Sequence, residues 1–175
     1  MTDTSCEPTL APAEWGAPRH RQVTWYEPTA LHAGPRSGKA FLEAIRDGVV
    51  APPPMASVFG FRIVEVDVGR VVFTCEPDES TYNPLGVVHG GLVCTLLDTV
   101  AGCAVHSTLD AGVSYTSIDL SVSYLRAVTV DSGELRATGI ATKVGRRVGF
   151  AESRVTDAKG RDVATATSSL LVITP

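Results

Sequence analysis

The segment from Leu92 to Val105, LVCTLLDTVAGCAV, limits what this chain can fold into more than any other stretch of its 175 residues. Ten of its fourteen residues are apolar, and they fall on every side of a helical wheel. A helix apolar all round has to be enclosed by protein rather than laid on a surface. A membrane is no alternative, because no run of about 18 apolar residues is present. The enclosing material is legible on both sides. FRIVEVD and RVVFTCEP precede the segment, and TSIDLSVSYLRAV, SGELRATGIATKV, RRVGFAESRVTD and RDVATATSSLLVIT follow it. Each carries the two-residue period of a strand. The fold class predicted is α+β: one long helix, Gly91 to Leu109, wrapped by an antiparallel sheet of about six strands.

Strand faces follow from strict alternation. Phe61, Ile63 and Glu65 should oppose Arg62, Val64 and Val66, and Val71, Phe73 and Cys75 should share a face. Ile118, Leu120, Val122 and Tyr124 should oppose Ser117, Asp119, Ser121 and Ser123. The first two strands read as a hairpin about Gly69. Upstream, Ser37 as a cap, Phe41, Leu42 and Ile45 at helical spacing, and Gly48 as a stop predict a short leading helix. Pro52, Pro53 and Pro54 then break the chain, with a turn expected over Met55 to Phe59. Residues 1–37 form a Pro-rich arm with Trp15 and Trp25 as candidate anchors, and residues 38–175 form the domain.

Composition removes several function classes. A net charge of −4 and a pI near 5.5 argue against a protein that grips nucleic-acid phosphates. The N-terminus has neither a basic leader nor an apolar core of the secretory kind, so a cytoplasmic protein with reduced thiols is expected. Cys6, Cys75, Cys94 and Cys103 form no CxxC pair. Cys103 and His106 share a helix face but have no further ligands nearby, so no metal is expected. Cys94 reads as a small buried hydrophobe.

Within the apolar helix stands one acid, Asp98. A buried carboxylate needs a partner. Thr95 or Thr99 could supply a hydroxyl, and that structural role competes with a chemical one. His89-Gly90-Gly91 tilts the balance. Glycines at a helix start leave its first N–H groups open, where the dipole favours developing negative charge. Asp98 as base or nucleophile and Gly90 N–H as oxyanion donor suit attack on an activated carbonyl. The two lie eight residues apart, about 12 Å of helix rise. One straight helix cannot bring both to one reacting group, so each site should combine Asp98 of one subunit with Gly90 of another across a two-fold axis.

The run NPLGVVHGGLVCTLLDTVAGCAV, with SIDLSVSYLRAV, GRRVGFAESRVTDAKGR and ATATSSLLV, resembles the hotdog-fold acyl-CoA thioesterases of the PaaI type, the phenylacetyl-CoA thioesterase-like branch. The likeness extends over roughly Val58 to Ile173 and leaves the arm outside. It implies a curved sheet around a long helix, dimers that join their sheets, and commonly homotetramers. It implies hydrolysis of an aryl-acetyl or short- to medium-chain acyl-CoA, with no cofactor, no metal, no nucleic-acid and no membrane partner. By the resemblance Asp98 is the catalytic carboxylate, Gly90 N–H polarises the thioester, and His89 and Asn83 position it. Ser117 holds the attacking water, and Gly91 belongs to the substrate-binding helix start. The stretch from Lys143 to Arg161 is locally basic; a solvated strand face is the default reading, and a nucleotide rim using Arg146 or Arg147, or Arg126 from a neighbouring strand, ranks below it. The acyl pocket is expected near Leu96 and Leu97, beyond Thr116 and against the partner. A non-catalytic acyl-CoA-binding subunit is the alternative, and a hydratase or dehydratase using His106 or His89 beside Asp98 ranks below it.

Overall fold

The computed structural model describes residues 16–27 and 36–175. Three helices, α1 (Gly38–Arg46), α2 (Pro54–Phe59) and α3 (Gly90–His106), accompany six strands. These are β1 (Phe61–Asp67), β2 (Arg70–Cys75), β3 (Ser114–Tyr124), β4 (Leu135–Val144), β5 (Val148–Thr156) and β6 (Asp162–Ile173). All pairings are antiparallel, in the order β1-β2-β4-β5-β6-β3. This is the hotdog fold: the sheet curves around α3, which packs against every strand from β2 to β6. The approach is closest at Gly139 of β4, where an added Cβ would sit 2.0 Å from the Val100 carbonyl oxygen of α3. Only a residue without a side chain lets the strand pass there.

The core lies between α3 and the sheet. Leu92, Val93, Leu96, Leu97 and Val100 meet Val71, Phe73, Leu135, Ala137, Val155 and Val163. A further group, Ala101, Val105, Ala151 and Leu170, closes the far end with Tyr115. α1 begins where Ser37 Oγ accepts from the Ala40 N–H, as the sequence predicts. Its Phe41 meets His106 at a tilt, and the His106 ring also meets Tyr115. Among the described residues no helix is long and apolar enough to cross a membrane.

Three local expectations are corrected. Met55 to Phe59 is a helix rather than a turn, because Pro54 at its first position supplies a fixed φ and loses no helical hydrogen bond. α3 ends at His106, three residues short of Leu109. In β1 a register shift between Ile63 and Glu65 makes Val64 the extra residue of a bulge. Alternation restarts beyond it, so Val66 is buried and Glu65 turns outward to pair with Arg70 and Arg136.

Candidate active site

The start of α3 is set by His89, whose Nδ1 accepts from the Gly91 N–H at 2.8 Å. His89 thus caps the helix, and its ring keeps its proton on Nε2 when neutral. Gly91 N–H is committed to this cap, while the Gly90 N–H has no acceptor among the described residues. Tyr124, last residue of β3, lies over Gly90 and donates its hydroxyl to the Gly90 carbonyl at 3.0 Å. A Cβ on Gly90 would stand 3.1 Å from that ring, a tight contact that the exposed Tyr124 side chain can relieve by shifting a few tenths of an ångström.

The loop before α3 is tightly hydrogen-bonded. Asn83 Oδ1 accepts from the Leu85 N–H at 2.9 Å, its N–H donates to the Val87 carbonyl, and Gly86 turns with φ of 75°. The His89 N–H donates to the Thr81 carbonyl at 2.8 Å, which fixes the peptide just ahead of Gly90. Asn83, Val87, Gly90, Tyr124 and Arg126 line a cavity of about 380 Å³.

Asp98 occupies a different cavity, about 430 Å³, with Met55, Cys94, Thr95, Ser117, Ile118 and Leu120. The carboxylate is half-buried rather than enclosed, because Gly91, Cys94, Thr95, Asp98 and Thr99 make an open stripe along α3. Neither threonine serves it: Thr95 Oγ1 donates to the Gly91 carbonyl and Thr99 Oγ1 to that of Thr95. Its partner is Ser117, which donates to Asp98 Oδ1 at 2.7 Å. Strict alternation would place Ser117 on the outer face with Asp119 and Ser121. A register shift between Ser117 and Asp119 leaves Ile118 as a bulge, and Ser117 joins Leu120 and Val122 on the side of α3. The expected wall at Leu96 and Leu97 is also corrected. Both are fully buried in the core, and Cys94 and Thr95 face the cavity instead.

One chain therefore brings Asp98 to Ser117, and Asn83 to Gly90, in two separate cavities. Between them runs β3, at the edge of the sheet and exposed over most of its length, including Ile118, Tyr124 and the adjoining Leu125. Arg146 and Arg147 sit exposed on the β4–β5 turn and line neither cavity; Arg126, the other rim candidate, lines the cavity at Gly90. The rest of the basic stretch is largely neutralised: Arg154 pairs with Asp162, and Arg161 with Asp157, whose carboxyl is held below the usual range. His106 is packed between Phe41 and Tyr115, and burial lowers its pKa, so it is not a proton partner for Asp98. Burial pushes the Cys103 thiol up to about 12 and the Cys75 thiol to about 11. No group of three potential metal ligands exists among the described residues. A larger concavity, about 690 Å³, opens on the outer sheet face, but its Arg136 and Arg154 are paired with Glu65 and Asp162.

Residues 85–164 match the thioesterase superfamily. The chain is 41% identical over 95 residues to a candidate esterase of Halobacterium salinarum, a match covering 50% of this chain and 61% of that protein. A phenylacetic acid degradation-related protein of Ralstonia eutropha JMP134 superposes with a TM-score of 0.68 at 29% identity, covering 74% of this chain and 98% of that one. A Streptococcus mutans protein solved bound to acetyl CoA gives 0.60, also at 29% identity, over 65% of this chain and 89% of that one.

Proposed function

We propose that this chain, whose residues 85–164 match the thioesterase superfamily, hydrolyses an acyl-CoA, of aryl-acetyl or short- to medium-chain type, to the free acid and CoA. The observation that carries this reading is the split of the candidate machinery: an acid with its serine in one cavity, an open helix N-terminus with Asn83 in another. Pairing two β3 edges antiparallel about a two-fold axis continues the sheet and turns each Asp98 toward the partner's Gly90. The thioester carbonyl then accepts from the partner's Gly90 N–H, assisted by the positive end of α3. Asp98, oriented by Ser117, takes a proton from water as the water adds to the carbonyl carbon, or adds to that carbon itself. Collapse of the tetrahedral adduct breaks the C–S bond and expels the CoA thiolate, which is then protonated; where Asp98 itself has added, water then hydrolyses the mixed anhydride, releasing the acid and restoring the carboxylate. The same pairing carries the β4–β5 turn, with Arg146 and Arg147, toward the partner's α3 N-terminus, where an anionic nucleotide would lie. Two such dimers would build a homotetramer.

Two variants test the shared site. Asp98→Asn removes the acid; Gly90→Pro removes the N–H at the first helical position, where proline is tolerated. Each homodimer should be nearly inactive when CoA release is followed with a thiol reagent. Mixing the two by co-refolding should restore about a quarter of wild-type turnover, because half of the dimers carry one intact site. No recovery in verified heterodimers would refute the shared site, and full activity of Asp98→Asn would refute the role of the acid.

A further inference from the structure

The N-terminal arm lies outside the matched segment, yet two of its residues fasten it to the domain next to both cavities. The Arg21 guanidinium donates to the Val58 carbonyl of α2 at 2.6 Å and to Ser80 Oγ at 3.2 Å, and stands 3.6 Å from the Asp78 carboxylate. Arg19 pairs with Glu79 beside it. Val58 is in the last turn of α2, where carbonyls lack helical partners and carry partial negative charge. Ser80 lies in the 3-10 turn Glu79–Thr81, which continues directly into the Asn83 loop.

α2 itself is thinly held. It has six residues, Ala56 is its one buried residue, and Pro52 and Pro53 ahead of it and Pro54 at its first position have no N–H with which to anchor the backbone. Its other ties lie at its far end, where Cys75 Sγ donates to the Phe59 carbonyl and Phe59 stacks on Phe61. Met55, at the opposite end of α2, is a wall of the Asp98 cavity and is 53% exposed.

We propose that the arm is a strap and that Arg21 is a positioning residue: by tying α2 to the Asp78–Thr81 turn it holds Met55 in place and so sets the acyl length that the Asp98 cavity accepts. This rests on the acyl-CoA reading above. A pocket wall one methylene out of place changes discrimination by about tenfold or more, and a wall that has lost one of its ties should give about half that effect.

The test compares the full chain with Arg21→Ala, Arg21→Lys and Met55→Ala on acetyl-, hexanoyl- and decanoyl-CoA. Arg21→Ala should raise kcat/KM for decanoyl-CoA relative to acetyl-CoA by about five-fold, through a lower KM for the longer chain. Met55→Ala should shift the profile the same way. Arg21→Lys keeps a cationic donor for the Val58 carbonyl and should retain the wild-type profile. A ratio within two-fold of wild type in Arg21→Ala, or an equal fall on all three substrates, would overturn the proposal. Hydrogen exchange supplies an arm independent of turnover. The α2 amides should exchange faster in Arg21→Ala, and unchanged exchange overturns the strap even if the wild-type chain releases no CoA, a result that would instead sink the acyl-CoA reading.

Discussion

Ser117→Ala tests whether the bulge at Ile118 exists to serve the acid. The substitution removes a hydroxyl that donates to Asp98 Oδ1 at 2.7 Å and leaves the strand pairing untouched. A hydrogen bond to a charged acceptor contributes about 1.5–3 kcal/mol. Ser117 is exposed and Asp98 half-buried in the single chain, so water can replace part of that bond. The low end, about 1.5 kcal/mol, corresponds to roughly a tenfold fall in kcat/KM. Asp98→Asn should cost far more, about 10²–10⁴-fold, the range of a positioned acid or base. The informative quantity is the coupling between the two. If Ser117 acts only through Asp98, its loss should matter little once Asp98 is Asn, giving an interaction energy of about 1 kcal/mol or more in a double-mutant cycle. CoA release under saturating and subsaturating acyl-CoA supplies all four corners. A tenfold loss on Ser117→Ala that persists undiminished in the Asp98→Asn background would refute the coupling. No loss at all would refute the serine's role.

The remaining predictions use other parts of the molecule. If Gly90 faces the partner's Asp98, the residue midway between them, Cys94, faces its own copy; a short bis-maleimide should link two chains through Cys94, and Cys94→Ser should abolish the link on a denaturing gel. His106 has a pKa lowered by burial, so the unfolded state binds its proton first. Its stabilising contribution is therefore complete above its ordinary value near 6.5 and is lost as pH falls toward the lower folded value. Tm should drop from pH 7 to pH 5.5 in the wild type, and His106→Gln should flatten that slope. Gly139→Ala should destabilise by about 3 kcal/mol or more, because its Cβ meets backbone of α3 rather than a movable side chain; urea unfolding measures it. Arg146→Ala with Arg147→Ala should raise the KM for acyl-CoA while leaving kcat within about two-fold, and an unchanged KM would remove the turn from the nucleotide rim.

What could be read in advance had a physical basis in period and spacing. The six strands, their antiparallel character around one helix, and the Ser37 cap follow from apolar periods and turn residues between them. What escaped was any feature created by one extra residue or one distant contact. Alternation alone cannot locate a bulge, so it puts Val66 and Ser117 on the wrong face. Pro54 reads as a breaker unless its place at the first turn of a helix is considered. Arg21 is one arginine in a Pro-rich arm, and its partners lie 37 and 59 residues away. Trp25, the described member of the expected anchor pair, is 58% exposed; Trp15 and Cys6 lie outside the described residues.

The composition of α3 and its exposure disagree in a useful way. A helix apolar on all sides calls for full enclosure, yet the stripe Gly91, Cys94, Thr95, Asp98 and Thr99 stays partly open in one chain. Along the same margin β3 leaves one backbone edge unpaired and Ile118 and Tyr124 exposed. Long exposed edges are usually blunted by charge, proline or a covering segment, and β3 has one charged residue, Asp119, and no proline. A second copy related by a two-fold axis would satisfy both deficits at once, extending the sheet through β3 and closing the stripe of α3. It would also explain why residues of catalytic type occupy that stripe. An acid placed on a face that only dimerisation encloses gains its chemical environment together with its oxyanion donor, in the same step. Turnover per chain should therefore fall on dilution below the dimer dissociation constant, and activity strictly proportional to concentration through that range would contradict the shared site.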